Sequence, residues 1–217
     1  MTQIIANVAA LNTLRDSVCA QKKHLAAKGH QQILLCAGAG CIASGAMAVK
    51  TALEKELAHR GLQDKVSVIG TGCLGPCSAG PVLMIDEVFY ERVRAEDASE
   101  LIAEHVVKKR TVERLTHKRA DGRGVARQKD MDFFRRQTKI VLRNCGVIDP
   151  TRIEDYIARD GYQALAKVLT EKNADVTIET MRVSGLRGRG GAGFPTWRKW
   201  KSTREAAGEV KYVVCNA

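Results

Sequence analysis

The most specific chemistry in this 217-residue chain lies in four cysteines arranged as two close pairs. Four residues separate Cys36 from Cys41, three separate Cys73 from Cys77, and thirty-one lie between the pairs. One pair alone says little, because free cysteines are common core residues. Here each pair sits in a glycine-rich stretch, Cys36-Ala-Gly-Ala-Gly-Cys41 and Gly72-Cys-Leu-Gly-Pro-Cys-Ser-Ala-Gly80. Four thiolates can hold a 2Fe–2S cluster, two on each iron. Glycines let the backbone come close to the sulfides and aim N–H groups at their negative charge. A structural zinc site also takes four cysteines, usually with two to four residues between ligands, so the wider first gap stands at the edge of that pattern. A pair of disulfides is the remaining alternative, and it suits an oxidising compartment.

A second glycine-rich stretch lies near the C-terminus, Ser184-Gly-Leu-Arg-Gly-Arg-Gly-Gly-Ala-Gly-Phe-Pro-Thr196, with the spacing Gly188-x-Gly190-x-x-Gly193. A dinucleotide site of the Rossmann type needs a strand before such a loop and a helix after it. Here Val176–Val183 follows helical segments and no acidic partner can be assigned downstream. A P-loop is excluded because no Gly-Lys-Ser/Thr closes the motif. The loop then reads in one of two ways. Its glycines permit tight approach to a planar or phosphorylated ligand that Arg187, Arg189 and Lys199 could meet, or it is a basic, flexible loop.

The elements around the first four cysteines alternate. Gln31–Cys36 and Val66–Gly70 read as short apolar strands, so both cysteine loops follow a strand and leave the same end of a sheet. Between them Ser44 is placed to cap a helix carrying Val49, Leu53 and Leu57 on one face and stopping at Gly61. Pro81–Asp86 and Val88–Val93 predict a hairpin turning at Asp86 and Glu87. A closing helix over Ser99–Lys109 places Leu101, Ile102 and His105 inward. This order fits a compact α/β layer fold. Ahead of it, Ile4, Val8, Leu11 and Val18 recur at helical spacing. Behind it, the polar and basic Thr111–Lys129 reads as a linker, Asp130–Asn144 as a helix, and Ile153–Ala158 and Tyr162–Leu169 as two more. Lys211–Cys215 reads as a strand. Cys19 and Cys145 read as lone structural thiols.

Composition narrows the classes. With 45% hydrophobic and 27% charged residues the chain can bury a core. The net charge of +11 is spread along the chain without a recognisable nucleic-acid reading element, which favours solvated faces together with an acidic partner subunit. The first twenty residues lack a secretory pattern. The uncharged stretch Ile33–Val49 holds three glycines and two cysteines, and it is shorter than the ~20 apolar residues a membrane span needs. Seven cysteines without an export signal point to a reducing, cytoplasmic setting, where grouped cysteines bind metal or do redox work.

Cys36, Cys41, Cys73 and Cys77, with Gly72-Cys-Leu-Gly-Pro-Cys and the following Gly80-Pro81, resemble the thioredoxin-like 2Fe–2S ferredoxin domain of the small NADH-dehydrogenase subunit of respiratory complex I. The same domain is fused to flavin subunits of NAD(P)-linked hydrogenases and formate dehydrogenases. The resemblance covers roughly Gln31–Lys109. It implies a cluster at the tips of two loops near the surface, passing one electron at a time. Arg187-Gly-Arg-Gly-Gly-Ala-Gly-Phe-Pro-Thr and Lys199-Trp200 in turn resemble the FMN-binding signature of the flavin subunit of complex I. Arg143-Asn-Cys-Gly-x-Ile-Asp-Pro and Tyr162-x-Ala-Leu-x-Lys-Val-Leu are similar to its lead-in. That likeness implies FMN contacts at Gly188, Arg189, Gly190, Lys199 and Asn216, and stacking of Phe194 on the nicotinamide nucleotide. Trp197 stands where a glycine is usual.

The expectation is therefore an α/β protein with an N-terminal helix (1–28), a thioredoxin-like 2Fe–2S domain (29–111), a linker and helical connector (112–175) and the start of an FMN- and NAD(H)-binding domain (176–217). In that family the sequence continues with an acidic loop, the rest of the nucleotide fold and a 4Fe–4S cysteine motif, so the flavin domain is expected to be truncated. The function implied by the resemblance is electron transfer in a soluble NAD(P)H-linked oxidoreductase, in partnership with other iron–sulfur and flavin subunits. The chain alone is expected to carry single electrons without a complete catalytic site. A non-catalytic docking module that keeps the cluster, or a zinc-stabilised interaction domain, is the alternative.

Overall fold

The structure is a computed structural model that describes residues 4–212 and residue 214. It contains two compact units, Met1–Gly161 and Tyr162–Ala217. The first is built on a four-stranded sheet of order β2-β1-β3-β4, from β1 (Gln31–Cys36), β2 (Val66–Thr71), β3 (Leu83–Ile85) and β4 (Val88–Tyr90). β1 and β2 run parallel, with Cys36 opposite Thr71, so the two chain segments that follow them leave at one end of the sheet. β3 is antiparallel to β1 and makes a tight hairpin with β4 through Asp86 and Glu87, as the sequence predicts. Asp86 takes a left-handed φ of 55° there, a conformation that Asp tolerates better than most residues.

Helices cover the sheet. α1 (Val8–Ala27) is capped by the Asn7 side chain, which accepts the Ala10 N–H, and it buries Leu11 and Val18. A one-turn α2 (Ala39–Ala43) carries Cys41, and α3 (Ala46–His59) buries Val49, Leu53 and Leu57 at four-residue spacing. Ser44 does not cap α3. It ends α2, its hydroxyl donating to the Gly40 carbonyl, and Gly45 at φ 98° starts α3. The closing helix α4 (Ala98–Glu100) continues in π-helical form over Leu101–Val107, with Leu101, Ile102 and His105 buried as expected.

A polar chain running from the buried Tyr90 and His105 to the exposed Asp86 and Lys109 ties this helix to the strands. The Tyr90 hydroxyl accepts the Val112 N–H at 3.2 Å and lies 2.6 Å from His105 Nδ1. The other ring nitrogen of His105, Nε2, faces Asp86 Oδ2 at 3.5 Å. Asp86 in turn accepts from Gln31 Nε2 at 2.7 Å, and Lys109 donates to Gln31 Oε1 at 3.0 Å. Burial lowers the His105 pKa in spite of Asp86, and burial pushes Tyr90 up to about 12.

The residues expected to form a linker are packed instead. Val112, Leu115, Val125 and Met131 join the same core as the sheet. β5 (His117–Lys118) and β6 (Gly124–Val125) form a small hairpin around Gly122, and its flanks bridge β4 at Tyr90–Thr116 and Val88–Arg127. This segment therefore covers the open edge of the sheet, which an exposed strand needs. The helix predicted over Asp130–Asn144 shrinks to α5 (Asp132–Arg135). Its apolar residues do not share one face: Phe134 is buried, while Ile140, Val141 and Leu142 stand in the open. α6 (Ile153–Ile157) then returns to α1, where Lys22 Nζ reaches the buried Asp155 Oδ1 at 3.0 Å. That atom meets Lys22 as an ion pair without hydrogen-bond geometry.

The second unit holds α7 (Gln163–Glu171), α8 (Ala174–Val183), the glycine-rich loop and α9 (Thr196–Glu205). Asn173 caps α8 by accepting the Val176 N–H. Lys211, Tyr212 and Val214 lie in no strand, and the rest of the strand expected at Lys211–Cys215 falls outside the described residues. No helix among the described residues is long and apolar enough to cross a membrane.

Candidate iron–sulfur site

The four cysteines emerge from β1 and β2 and meet. Cys36 ends β1, its N–H held by the Val82 carbonyl at 3.0 Å, and the next residue is tied to the Thr71 carbonyl at 2.8 Å. Cys41 sits on the inner side of α2. Both are buried, at 1% and 2% exposure. The second loop is more open: Cys73 is half-buried and Cys77 is exposed, with the Cys77 N–H donating to the Gly75 carbonyl at 2.8 Å. Gly75 takes φ 122°, a region that side chains rarely adopt.

The glycines of each loop lie against the cysteines of the other. A Cβ added at Gly38 would meet Cys73 Cβ at 3.2 Å and Cys36 Sγ at 3.5 Å. One at Gly40 would face Cys77 Cβ at 3.5 Å, and one at Gly80 would meet Cys41 Sγ at 3.0 Å. The two loops are thus packed to the limit that glycine allows. Electrostatics point the same way. Burial, and then the neighbouring Cys36, push the Cys41 thiol up to about 11. Burial raises Cys73 too, with Cys36 and Cys77 adding to it. Bare thiolates this close and this buried repel one another, so a group that ionises all four must bring positive charge with it, as ferric iron does. Among the described residues no group of three or more His, Cys, Asp or Glu side chains is placed to hold a single metal ion. Cys41 has its side-chain contact with Cys36 and Cys73 with Cys77, an arrangement that would suit two irons with two protein sulfurs each.

Spacing gave no sign of the support behind the second loop. Cys145, expected as a lone structural thiol, lies against Gly72, where an added Cβ would stand 2.9 Å from its Sγ. The buried Thr71 hydroxyl donates to the Ile148 carbonyl at 2.9 Å and accepts the Gly146 N–H at 3.0 Å. The Phe133 ring packs on Gly75, at 2.9 Å from the position of a Cβ, and stacks edge-on against Phe134. Phe134 meets Phe89 of β4 edge-on at 5.5 Å.

The C-terminal glycine loop folds onto itself. The Gly188 N–H donates to the Phe194 carbonyl at 2.8 Å, the Thr196 N–H to the Leu186 carbonyl at 3.1 Å, and α9 starts at the loop's end. Gly190, Gly191 and Gly193 have open space where a side chain would stand, which fits close approach of a flat ligand. Lys199 Nζ lies 5.9 Å from the centre of the Phe194 ring. The guanidinium groups are turned to the loop itself, Arg189 to the Arg187 carbonyl at 2.7 Å and Arg187 to the Gly193 carbonyl at 3.3 Å. Lys199 also lines a cavity of about 580 Å³ with Ile178, Trp200 and Tyr212, whereas Gly188, Arg189, Gly190 and Phe194 do not. Asn216 lies outside the described residues.

A mixed sheet whose two parallel strands each feed a cysteine loop, backed by helices, is the arrangement of a thioredoxin-like 2Fe–2S domain. Residues 21–106 match the family described as thioredoxin-like [2Fe-2S] ferredoxin, and residues 181–217 match the Nuo51 FMN-binding domain. The chain thus joins a thioredoxin-like 2Fe–2S domain to the start of a Nuo51 FMN-binding domain. Among curated proteins it is similar to the NADP-reducing hydrogenase subunit HndC of Solidesulfovibrio fructosivorans, 54% identical over 38% of this chain and 17% of that protein. It is also similar to the NAD-reducing hydrogenase HoxS subunit alpha of Cupriavidus necator, 30% identical over 87% of this chain and 30% of that protein. The chain therefore spans less than a third of the length of these relatives. A solved thioredoxin-like [2Fe-2S] ferredoxin from Aquifex aeolicus is 26% identical, covering 40% of this chain and 88% of that one, with a TM-score of 0.38.

Proposed function

We propose that this chain is an electron-transfer subunit of a cytoplasmic NAD(P)H-linked oxidoreductase complex, in which Cys36, Cys41, Cys73 and Cys77 hold a 2Fe–2S cluster. The observation that carries this reading is the meeting of the two glycine-rich cysteine loops at one end of the sheet, each packed against the other's cysteines. When bound, the cluster supplies one-electron storage, and FMN supplies the conversion between a hydride and single electrons. The chain's own contribution is positioning. Cys36 and Cys41 are fixed by β1 and α2, and their burial keeps water from that side. Cys77 is exposed and Cys73 half-buried, so the second loop is the side open to other iron–sulfur and flavin subunits. Gly188, Arg189, Gly190, Lys199 and Asn216 would contact FMN, and Phe194 the nicotinamide nucleotide, in a site that the rest of a flavin domain completes. The names of the relatives, subunits of NAD- and NADP-reducing hydrogenases, support this assignment.

The test is the visible absorption of the anaerobically purified chain before and after dithionite, with iron and sulfide assays. A brown protein that bleaches on reduction and carries about two irons and two sulfides supports the reading. A colourless, zinc-bearing chain refutes it.

A further inference from the structure

On the basis of that electron-transfer reading, we propose that the segment following the β5–β6 hairpin, together with the second cysteine loop, forms the docking face for an acidic protein partner. Phe133, Ile140 and Val141 are 49%, 73% and 85% exposed within a stretch of nine residues. Scattered exposed apolar residues need no explanation, but a run of them on one short segment marks an interaction site. The segment is also fixed to the outward-facing pair of cysteines. Phe133 packs on Gly75, whose carbonyl accepts the Cys77 N–H, and Cys145 packs on Gly72, next to Cys73.

Charge identifies the partner. A cleft of about 360 Å³ opens beside Leu74, the residue that follows Cys73 in this loop. Lys129, Lys139 and Arg143 line it, and no acidic side chain does. Lys129 has Glu87 at 3.5 Å, but among the described residues neither Lys139 nor Arg143 has a carboxylate within 4 Å. Lys139 rests over the Phe134 ring at 5.4 Å. Apolar anchors flanked by unpaired cations, beside the one exposed thiol of the four, suit the acidic surface of a one-electron carrier protein.

The experiment measures binding of a small acidic ferredoxin, used as probe, to the full chain by titration calorimetry across a salt series. Two charge-reversed variants carry the same change in net charge, K139E/R143E on the face and K23E/K28E at exposed positions in the last turns and C-cap of α1. The face variant is expected to bind about tenfold more weakly in low salt and to lose most of its salt dependence, while the α1 variant stays within about twofold. I140S/V141S, at exposed positions, is expected to weaken binding in high salt as well. Equal losses in the two charge variants, or no binding by the wild-type chain in low salt, overturn the proposal. So does displacement of the probe by heparin at physiological salt, which would mark a general polyanion surface. The iron chromophore of each chain is recorded before the probe is added. Its absence from the wild-type chain refutes the electron-transfer reading, whereas an intact chromophore with unchanged affinities overturns only the docking face.

Discussion

Gly38 and Gly40 stand two residues apart in the first cysteine loop, yet adding one methyl group to each should have opposite effects. Gly38 has φ −69° and ψ 152°, so alanine meets no backbone strain there. Its methyl would stand 3.2 Å from Cys73 Cβ and 3.4 Å from Cys73 Cα, both parts of the opposite loop that cannot swing aside as a side-chain tip can. Carbon atoms rest at about 3.5–4.0 Å, so the loops must part by a few tenths of an ångström. Overpacking of this kind costs about 1–3 kcal/mol, and the reduced freedom of the unfolded chain returns about 0.4–1 kcal/mol. Taken at the middle of each range, the net loss for Gly38→Ala is about 1.3 kcal/mol. At Gly40 the nearest atoms are Cys77 Cβ at 3.5 Å and Sγ at 3.8 Å, ordinary contacts. Gly40 is also inside α2, where alanine is favoured over glycine by about 0.5–1 kcal/mol. Urea melts of the cluster-free chain give the stabilities, and iron content with the half-life of the visible band in air gives the effect on the site. Gly38→Ala should be the less stable and the faster to lose iron. If it equals or exceeds Gly40→Ala in both, the tight approach of the two loops is not the constraint argued here.

Three further outcomes rest on the rest of the first unit. Tyr90→Phe removes a hydroxyl that partners both Val112 N–H and His105 Nδ1 in a buried place, and should cost about 2–4 kcal/mol; a melt within 0.5 kcal/mol or so of wild type would contradict the network. Burial holds the His105 pKa below its unfolded value near 6.5, so the stability this neutral imidazole contributes is complete above about pH 6.5 and is lost as pH falls from there through the lowered folded value. Urea melts between about pH 7.5 and pH 5.5 should show that decline, and a His105→Gln protein that declines just as steeply would rule His105 out as its source. Lys22→Met leaves the buried Asp155 carboxylate without its cation, with Lys22 itself partly exposed, and should cost about 1–3 kcal/mol. An unchanged melting temperature would show that this contact does not fasten α1 to α6.

The parts of the fold that could be read from the sequence are those set by neighbours in the chain. β1 and β2 are apolar runs, the hairpin turns at Asp86 and Glu87, and α3 repeats its apolar residues every four positions. Those elements bring the four cysteines to one place, as their spacing predicted. What could not be read depends on distant partners. Val112, Leu115, Val125 and Met131 have no common period, because each fills a different gap along the sheet edge rather than one face of an element. Ser44 has the right chemistry for an N-cap but is used to close α2, since the chain must first place Cys41. Ile140, Val141 and Leu142 added apolar weight to a helix prediction for which adjacent residues, pointing to different sides, give no helical face.

The same division runs through the site. Cys36 and Cys41 are held by local structure, a strand end and one helical turn, and they are buried. Cys73 and Cys77 stand on a loop with no regular element before Cys77, and their support comes from far along the chain. Thr71 binds the backbone at Gly146 and Ile148, Cys145 presses on Gly72 and Phe133 on Gly75. A loop held by side-chain packing can shift when that packing is touched, whereas one held by a sheet and a helix cannot do so cheaply. A protein bound against Phe133 and the residues after it would therefore bear directly on the support of Cys73 and Cys77. Because Gly38 and Gly40 lie against Cys73 and Cys77, and Gly80 against Cys41, a shift of the second loop would be passed on to the buried pair through these contacts.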